Sequence, residues 1–123
     1  MFTRRPMAIG LAAMLFVACG TSSNAPQGRT SFDGTDGAIL FGQACASCHG
    51  ADLEGTADGP PFIDSIYRSG HHADAAFLLA VRRGVRSHHW GFGNMAPIEG
   101  LSDDQVAAIV EFVRERQRAA GIE

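Results

Sequence analysis

The chain has 123 residues, 46% of them hydrophobic, and a formal net charge of −3 with its five histidines neutral. That length holds one domain, or a small domain with a tail, and excludes a TIM barrel or a multidomain machine. Mild acidity argues against a nucleic-acid binder, which usually carries a basic patch, and three cysteines cannot complete a disulfide framework.

The chain opens with Arg4 and Arg5, followed by twelve uncharged residues, Met7 to Ala18. A helix of that length covers ~18 Å, too short for a ~30 Å hydrocarbon core. A positive segment followed by a short apolar stretch reads as a secretory signal over residues 1–18. Cys19 then follows Phe16-Val17-Ala18 and precedes Gly20. This resembles the bacterial lipobox, although the leucine usual three places before the cysteine is here Phe16. The resemblance implies lipidation at Cys19, and an exported protein held by a lipid anchor on the periplasmic or extracytoplasmic face of a membrane. Residues 19–34 are rich in Thr, Ser, Asn, Pro, Gln and Gly, with Phe32 the single large apolar residue. Such a segment reads as a flexible tether, and fifteen residues of it span ~20 Å root-mean-square.

Residues 35–123 form the remaining unit. Thr35 or Asp36 can cap a first helix running through Ala38, Ile39, Leu40, Phe41 and Ala44 to about Cys48. A second helix is expected from about Ala73 to Arg83, with Phe77, Leu78 and Val81 on one face and Gly84 as its terminator. A third opens on Ser102-Asp103-Asp104-Gln105, a capping box. Val106, Ile109, Val110 and Val113 continue it at i, i+3, i+4, i+7, and Arg114, Arg116 and Arg118 suit its C-terminal dipole. No segment alternates as a strand. A unit of ~85 residues often needs a staple, metal or cofactor.

Cys45-Ala46-Ser47-Cys48-His49 is a C-x-x-C-H motif. Thiols at i and i+3 of a helix share a side and are spaced to add to the two vinyl groups of a haem. The histidine then offers an imidazole nitrogen to the iron. A zinc site wants four ligands, and no further cysteine lies in this unit; a thioredoxin-like motif wants a βαβ setting that is absent.

From about Asp36 to Gly121 the chain resembles a class I, monohaem, His/Met bacterial cytochrome c. The order matches: a helix into C-x-x-C-H, a Gly-Pro loop, a middle helix, a methionine loop, and a last helix opened by Leu-Ser-Asp-Asp. The resemblance implies a small all-α cytochrome c fold around one covalent haem c, bound by thioethers to Cys45 and Cys48. It implies His49 and Met95 as axial ligands of the iron. It also implies crossed first and last helices, with Gly42 and Ala46 small enough for a close approach to Val110 and Val113. Met95 is the one methionine beyond the signal and stands between Gly91-Phe92-Gly93-Asn94 and Ala96-Pro97, where the family usually reads Met-Pro. Gly59-Pro60-Pro61-Phe62 resembles the loop whose proline carbonyl accepts from the other nitrogen of the haem histidine, so Pro60 is the counterpart, with Phe62 and Ile66 lining the pocket.

His71-His72 and His88-His89-Trp90 are not required by that resemblance. They are open to helix capping and loop contacts, to a copper or zinc site, or to a role as alternative axial ligand. Adjacent residues rarely point the same way, so one of each pair is expected in any shared site. Arg82, Arg83 and Arg86 are open to pairing with haem propionates or to solvation.

The expected function is a membrane-tethered single-electron carrier with no catalytic residue. The alternatives are a haem subunit of a larger membrane-associated oxidoreductase and a haem or metal sensor. Without residues 1–18, eight arginines face thirteen acids, a formal −5. That charge points to redox partner proteins with a basic docking face.

Overall fold

A computed structural model describes residues 32–122, so the signal segment, Cys19 and most of the tether lie outside the described residues. Four helices follow in order: α1 Gly37–Ala44, α2 Ala46–His49, α3 Asp74–Arg83 and α4 Asp103–Ala119. A single 3-10 turn, Ser65–Tyr67, lies between α2 and α3. Among the described residues the extended pairing amounts to one antiparallel bridge, Val85 with Met95. The architecture is all-α.

Asp36 starts α1 by accepting from the Ala38 and Ile39 amides at 2.9 and 3.0 Å. The first helix does not run unbroken to Cys48. Cys45 departs to φ −123°, although its amide still donates to Phe41 O at 2.8 Å. The Cys48 and His49 amides then both donate to Cys45 O, which starts α2 as a new single turn.

The core is Leu40 and Phe41 of α1 against Val106, Ile109, Val110 and Val113 of α4, joined by Leu53, Val81 and Leu101. Each such side chain contributes roughly 1.5–3 kcal/mol when fully buried. Of the two glycines of α1, it is Gly37 and not Gly42 that lies against α4. A Cβ on Gly37 would stand 2.1 Å from Ala108 O, whereas Gly42 is exposed with nothing within 4 Å. Five residues at 100° each place these two glycines about 140° apart on the helix, so only one can face α4.

The capping box opens α4: Ser102 Oγ accepts from the Gln105 amide, and Gln105 Oε1 accepts from the Ser102 amide. The Gln105 side-chain amide also donates to Phe32 O and Gly34 O, both at 2.9 Å. Phe32 packs against the core. The last residues of the segment read as tether are therefore held on α4.

Arg114 is not a solvated dipole partner but is buried, with 9% of its surface exposed. Its guanidinium donates to Asp74 Oδ1 at 2.8 Å, Tyr67 O at 2.6 Å, Gln117 Oε1 at 2.7 Å and His72 O. It ties the 3-10 turn and the start of α3 to α4. Arg82 likewise faces the protein: it donates to Leu101 O at 2.8 Å and to Asp103, beside the start of α4. Its guanidinium is committed there rather than held out for a propionate.

Candidate functional site

The break at Cys45 decides how the C-x-x-C-H residues are presented. Cys45 is buried, Cys48 is exposed, and both are free thiols. Burial, and secondarily the neighbouring Cys48, pushes the Cys45 thiol up to about 11. His49 ends α2 and is buried. Its Nδ1 lies 2.9 Å from Pro60 O. A carbonyl only accepts, so Nδ1 carries the proton and Nε2 keeps its lone pair. Burial lowers the His49 pKa below the ordinary histidine value, outweighing the opposite pull of the Pro60 carbonyl. The result is a neutral imidazole of fixed tautomer with one free donor atom.

The loop that supplies Pro60 is clasped to the same turn. Thr56 Oγ1 donates to Cys48 O at 2.7 Å, and the Gly55 amide donates to His49 O at 2.7 Å. Gly59 is packed so closely that a Cβ there would stand 2.8 Å from Cys48 O and 3.1 Å from Cys48 Cβ. Leu53 adopts φ +64° and is fully buried, and its carbonyl accepts from Phe62 and Ile63. A branched residue is held in the left-handed region at a cost of about 1–3 kcal/mol, offset by core packing. This reversal brings the Phe62 ring onto His49, stacked at 4.0 Å between centroids. Ile66 is half-buried on the following turn, where its amide donates to Asp64 Oδ1.

Met95 comes from a separate loop and is half-buried. Its amide and carbonyl both pair with Val85 at 2.9 Å. Gly84, at φ +71°, ends α3 just before that pairing, and a Cβ on it would stand 2.4 Å from Met95 O. Only glycine supplies both that conformation and that clearance. The methionine main chain is thereby pinned to the end of α3, and Ile98 N donates back to Val81 O at 2.8 Å.

The donor set fits a haem: two free thiols three residues apart, and a buried imidazole with one nitrogen free. A loop methionine supplies a neutral thioether.

The remaining histidines gather elsewhere. Neither His71 nor His72 caps α3, whose N-cap is Ala73 with no side-chain bond. His71, His72 and His89 each bring a ring nitrogen within 4.8 Å of the others. Both members of the first pair therefore join one group, contrary to the expectation of one from each pair. His88 is not in that group: its ring lies against that of His89, 4.2 Å between centroids, and its Nδ1 is held 2.8 Å from Arg86 O.

A family model for cytochrome c matches residues 34–117. The chain is 32% identical over 87 residues to the fructose dehydrogenase cytochrome subunit of Gluconobacter japonicus. That match covers 64% of the chain but 18% of the subunit, so the chain spans less than a fifth of that relative's length. It is 31% identical over 108 residues to cytochrome c-551 of Bacillus subtilis strain 168, covering 83% of the chain and 85% of the relative. No solved structure matches the chain.

Proposed function

The chain belongs to the cytochrome c family, and from that premise we propose a single-electron carrier with His49 and Met95 as axial ligands, tethered by lipid to a membrane on the exported side. As a family member it is an electron-transfer protein with a covalent c-type haem.

The bound haem supplies reversible one-electron chemistry at iron. Cys45 and Cys48 hold it through thioethers, and His49 Nε2 is the ligand on one face. The hydrogen bond from His49 Nδ1 to Pro60 O, at 2.9 Å, is the observation that carries the assignment. It leaves Nε2 as the sole donor atom and prevents the ring from rotating. Met95 gives the second ligand, and its main-chain pairing with Val85 supports a fixed thioether position. A thioether is a weak neutral donor and raises the potential. Filling both axial positions favours electron transfer over binding of small molecules.

Cys48 is the exposed cysteine, and the loop after it carries exposed Glu54 and Asp58, with exposed Asp52 paired to Arg116 at 3.7 Å. That local negative charge supports docking to basic faces of redox partners. Cys19, residues 1–18 and most of 19–34 lie outside the described residues and rest on the sequence, whereas the segment from residue 35 lies almost wholly within them. No helix among the described residues is long and apolar enough to cross a membrane. In this reading Cys19 carries the attachment.

An optical spectrum with redox titration of the purified protein tests the site. A low-spin c-type spectrum with an iron–thioether charge-transfer band is expected, and Met95→Ala should abolish the band. Persistence of the band in that variant means that another residue is the ligand. Cys48→Ala should leave at most a single thioether, measurable by mass. Cys19→Ser should move the protein to the soluble fraction. The similarity to a dehydrogenase's cytochrome subunit favours a second reading, a haem subunit of a larger oxidoreductase. Stable co-purification with a catalytic subunit would select it.

A further inference from the structure

The proposed electron carrier assigns no role to His71, His72 and His89. One nitrogen of each lies within 4.8 Å of the other two. His71 Nε2 and His89 Nε2 are 3.3 Å apart. Two nitrogens bound at about 2.0–2.1 Å to one ion stand about 2.8–3.0 Å apart when cis in a square plane and about 3.3–3.4 Å apart in a tetrahedron. The pair is already close enough to share an ion, and both residues lie on loops that can close the remaining few tenths of an ångström for copper(II).

His72 is oriented from behind. Its Nδ1 lies 2.8 Å from Ile66 O, which can only accept, so Nε2 is left with a free lone pair. Metal-binding histidines are commonly held by such a bond. The segment carrying His72 is anchored further by its carbonyl, which accepts from buried Arg114. On the other side Trp90, next to His89, stacks on Tyr67 at 5.8 Å, which fixes the second loop over the first. His71 and His89 are exposed and His72 is half-buried, so an ion has open access.

No carboxylate or thiol joins the trio among the described residues. Neutral imidazoles suit copper, zinc and nickel, whereas calcium and magnesium require oxygen ligands. We propose that His71, His72 and His89 form a surface site for a late first-row divalent cation, copper(II) ahead of zinc(II), with a fourth position open to water. The order of the two metals follows the usual ranking of divalent affinities.

The test uses oxidised holoprotein, with copper(II) or zinc(II) added alone and binding followed by equilibrium dialysis. One copper(II) per chain is expected at the trio, with electron paramagnetic resonance couplings from three imidazole nitrogens. Zinc(II) should bind more weakly. His71→Gln and His89→Gln should each weaken copper binding by at least about tenfold and reduce the nitrogen couplings to two. Both replace exposed side chains, and an unchanged haem spectrum verifies the fold. His88→Gln should leave affinity unchanged, because His88 does not belong to the group whose ring nitrogens lie within 4.8 Å of one another. The proposal is overturned by an absence of copper binding, by affinity indifferent to His71→Gln and His89→Gln, or by an equal loss in His88→Gln.

Discussion

Two histidine regions lie at the two ends of one run of aromatic rings. His49 stacks on Phe62 at 4.0 Å, Phe62 meets Tyr67 at 4.9 Å, and Tyr67 meets His72 at 4.9 Å. At the His49 end the imidazole is buried, its tautomer is set by a carbonyl, and the turn around it is closed by short backbone bonds. At the other end two of three imidazoles are exposed, and they lean on one another. The first arrangement is made by backbone geometry and holds one donor atom rigidly. The second is made by side chains on two loops and gathers several donor atoms loosely. Rigid presentation suits a permanent covalent group, and loose gathering suits an exchangeable ion.

The largest expected effect separates the two ends. Arg114→Met removes the cation that binds Tyr67 O, His72 O and Asp74, and leaves Gln117 buried without that partner. Asp74 is exposed, so the loss comes from neutral acceptors: a buried acceptor left without its donor costs about 1–3 kcal/mol, and Gln117 Oε1 with the Tyr67 and His72 carbonyls lose theirs together. Denaturant unfolding of the holoprotein should show a loss of that order. The histidine trio should lose copper affinity while the His49 ligation spectrum persists. Equal damage to both would mean that the two regions are one cooperative unit.

Gly59→Ala is the reciprocal break. Its Cβ would press on Cys48 O and displace the loop that delivers Pro60 to His49. Overpacking of this kind costs roughly 1–3 kcal/mol. Stability should fall by that amount and the redox potential should shift. Copper binding at the trio should be unaffected.

The two ends also differ in how far they were legible beforehand. The capping box at Ser102 and the C-x-x-C-H turn are local patterns, and local chemistry determines both. Gly37 and Gly42 look alike in the sequence, because the facing side of α1 depends on how α4 crosses it. Arg114 looks like a dipole partner, because a charge on a helix usually faces water. Its spacing was the available signal: it stands four residues after Val110 and three before Gln117, on the apolar stripe. The meeting of His71, His72 and His89 had no such signal, since residues 71 and 89 meet only after two loops close on each other. Pinning of Met95 by Val85 was hidden for the same reason, being a contact between loop ends.

The smallest effect concerns protons and sharpens the contrast. Burial lowers the His49 pKa, so the folded protein favours the neutral ring, and the proposed ligation to iron would act in the same direction. An unfolded histidine takes up its proton near pH 6.5. Between that pH and the lower folded value the unfolded state binds more protons, and stability falls as pH falls. His49's contribution is therefore complete above about pH 6.5 and is lost as pH drops through the folded value. One proton limits the slope to about 1.4 kcal/mol per pH unit. Denaturant midpoints of the holoprotein at successive pH values should show this decline, and His71→Gln with His89→Gln should leave it in place. If those two substitutions remove the decline, the buried imidazole is not what limits stability in weak acid.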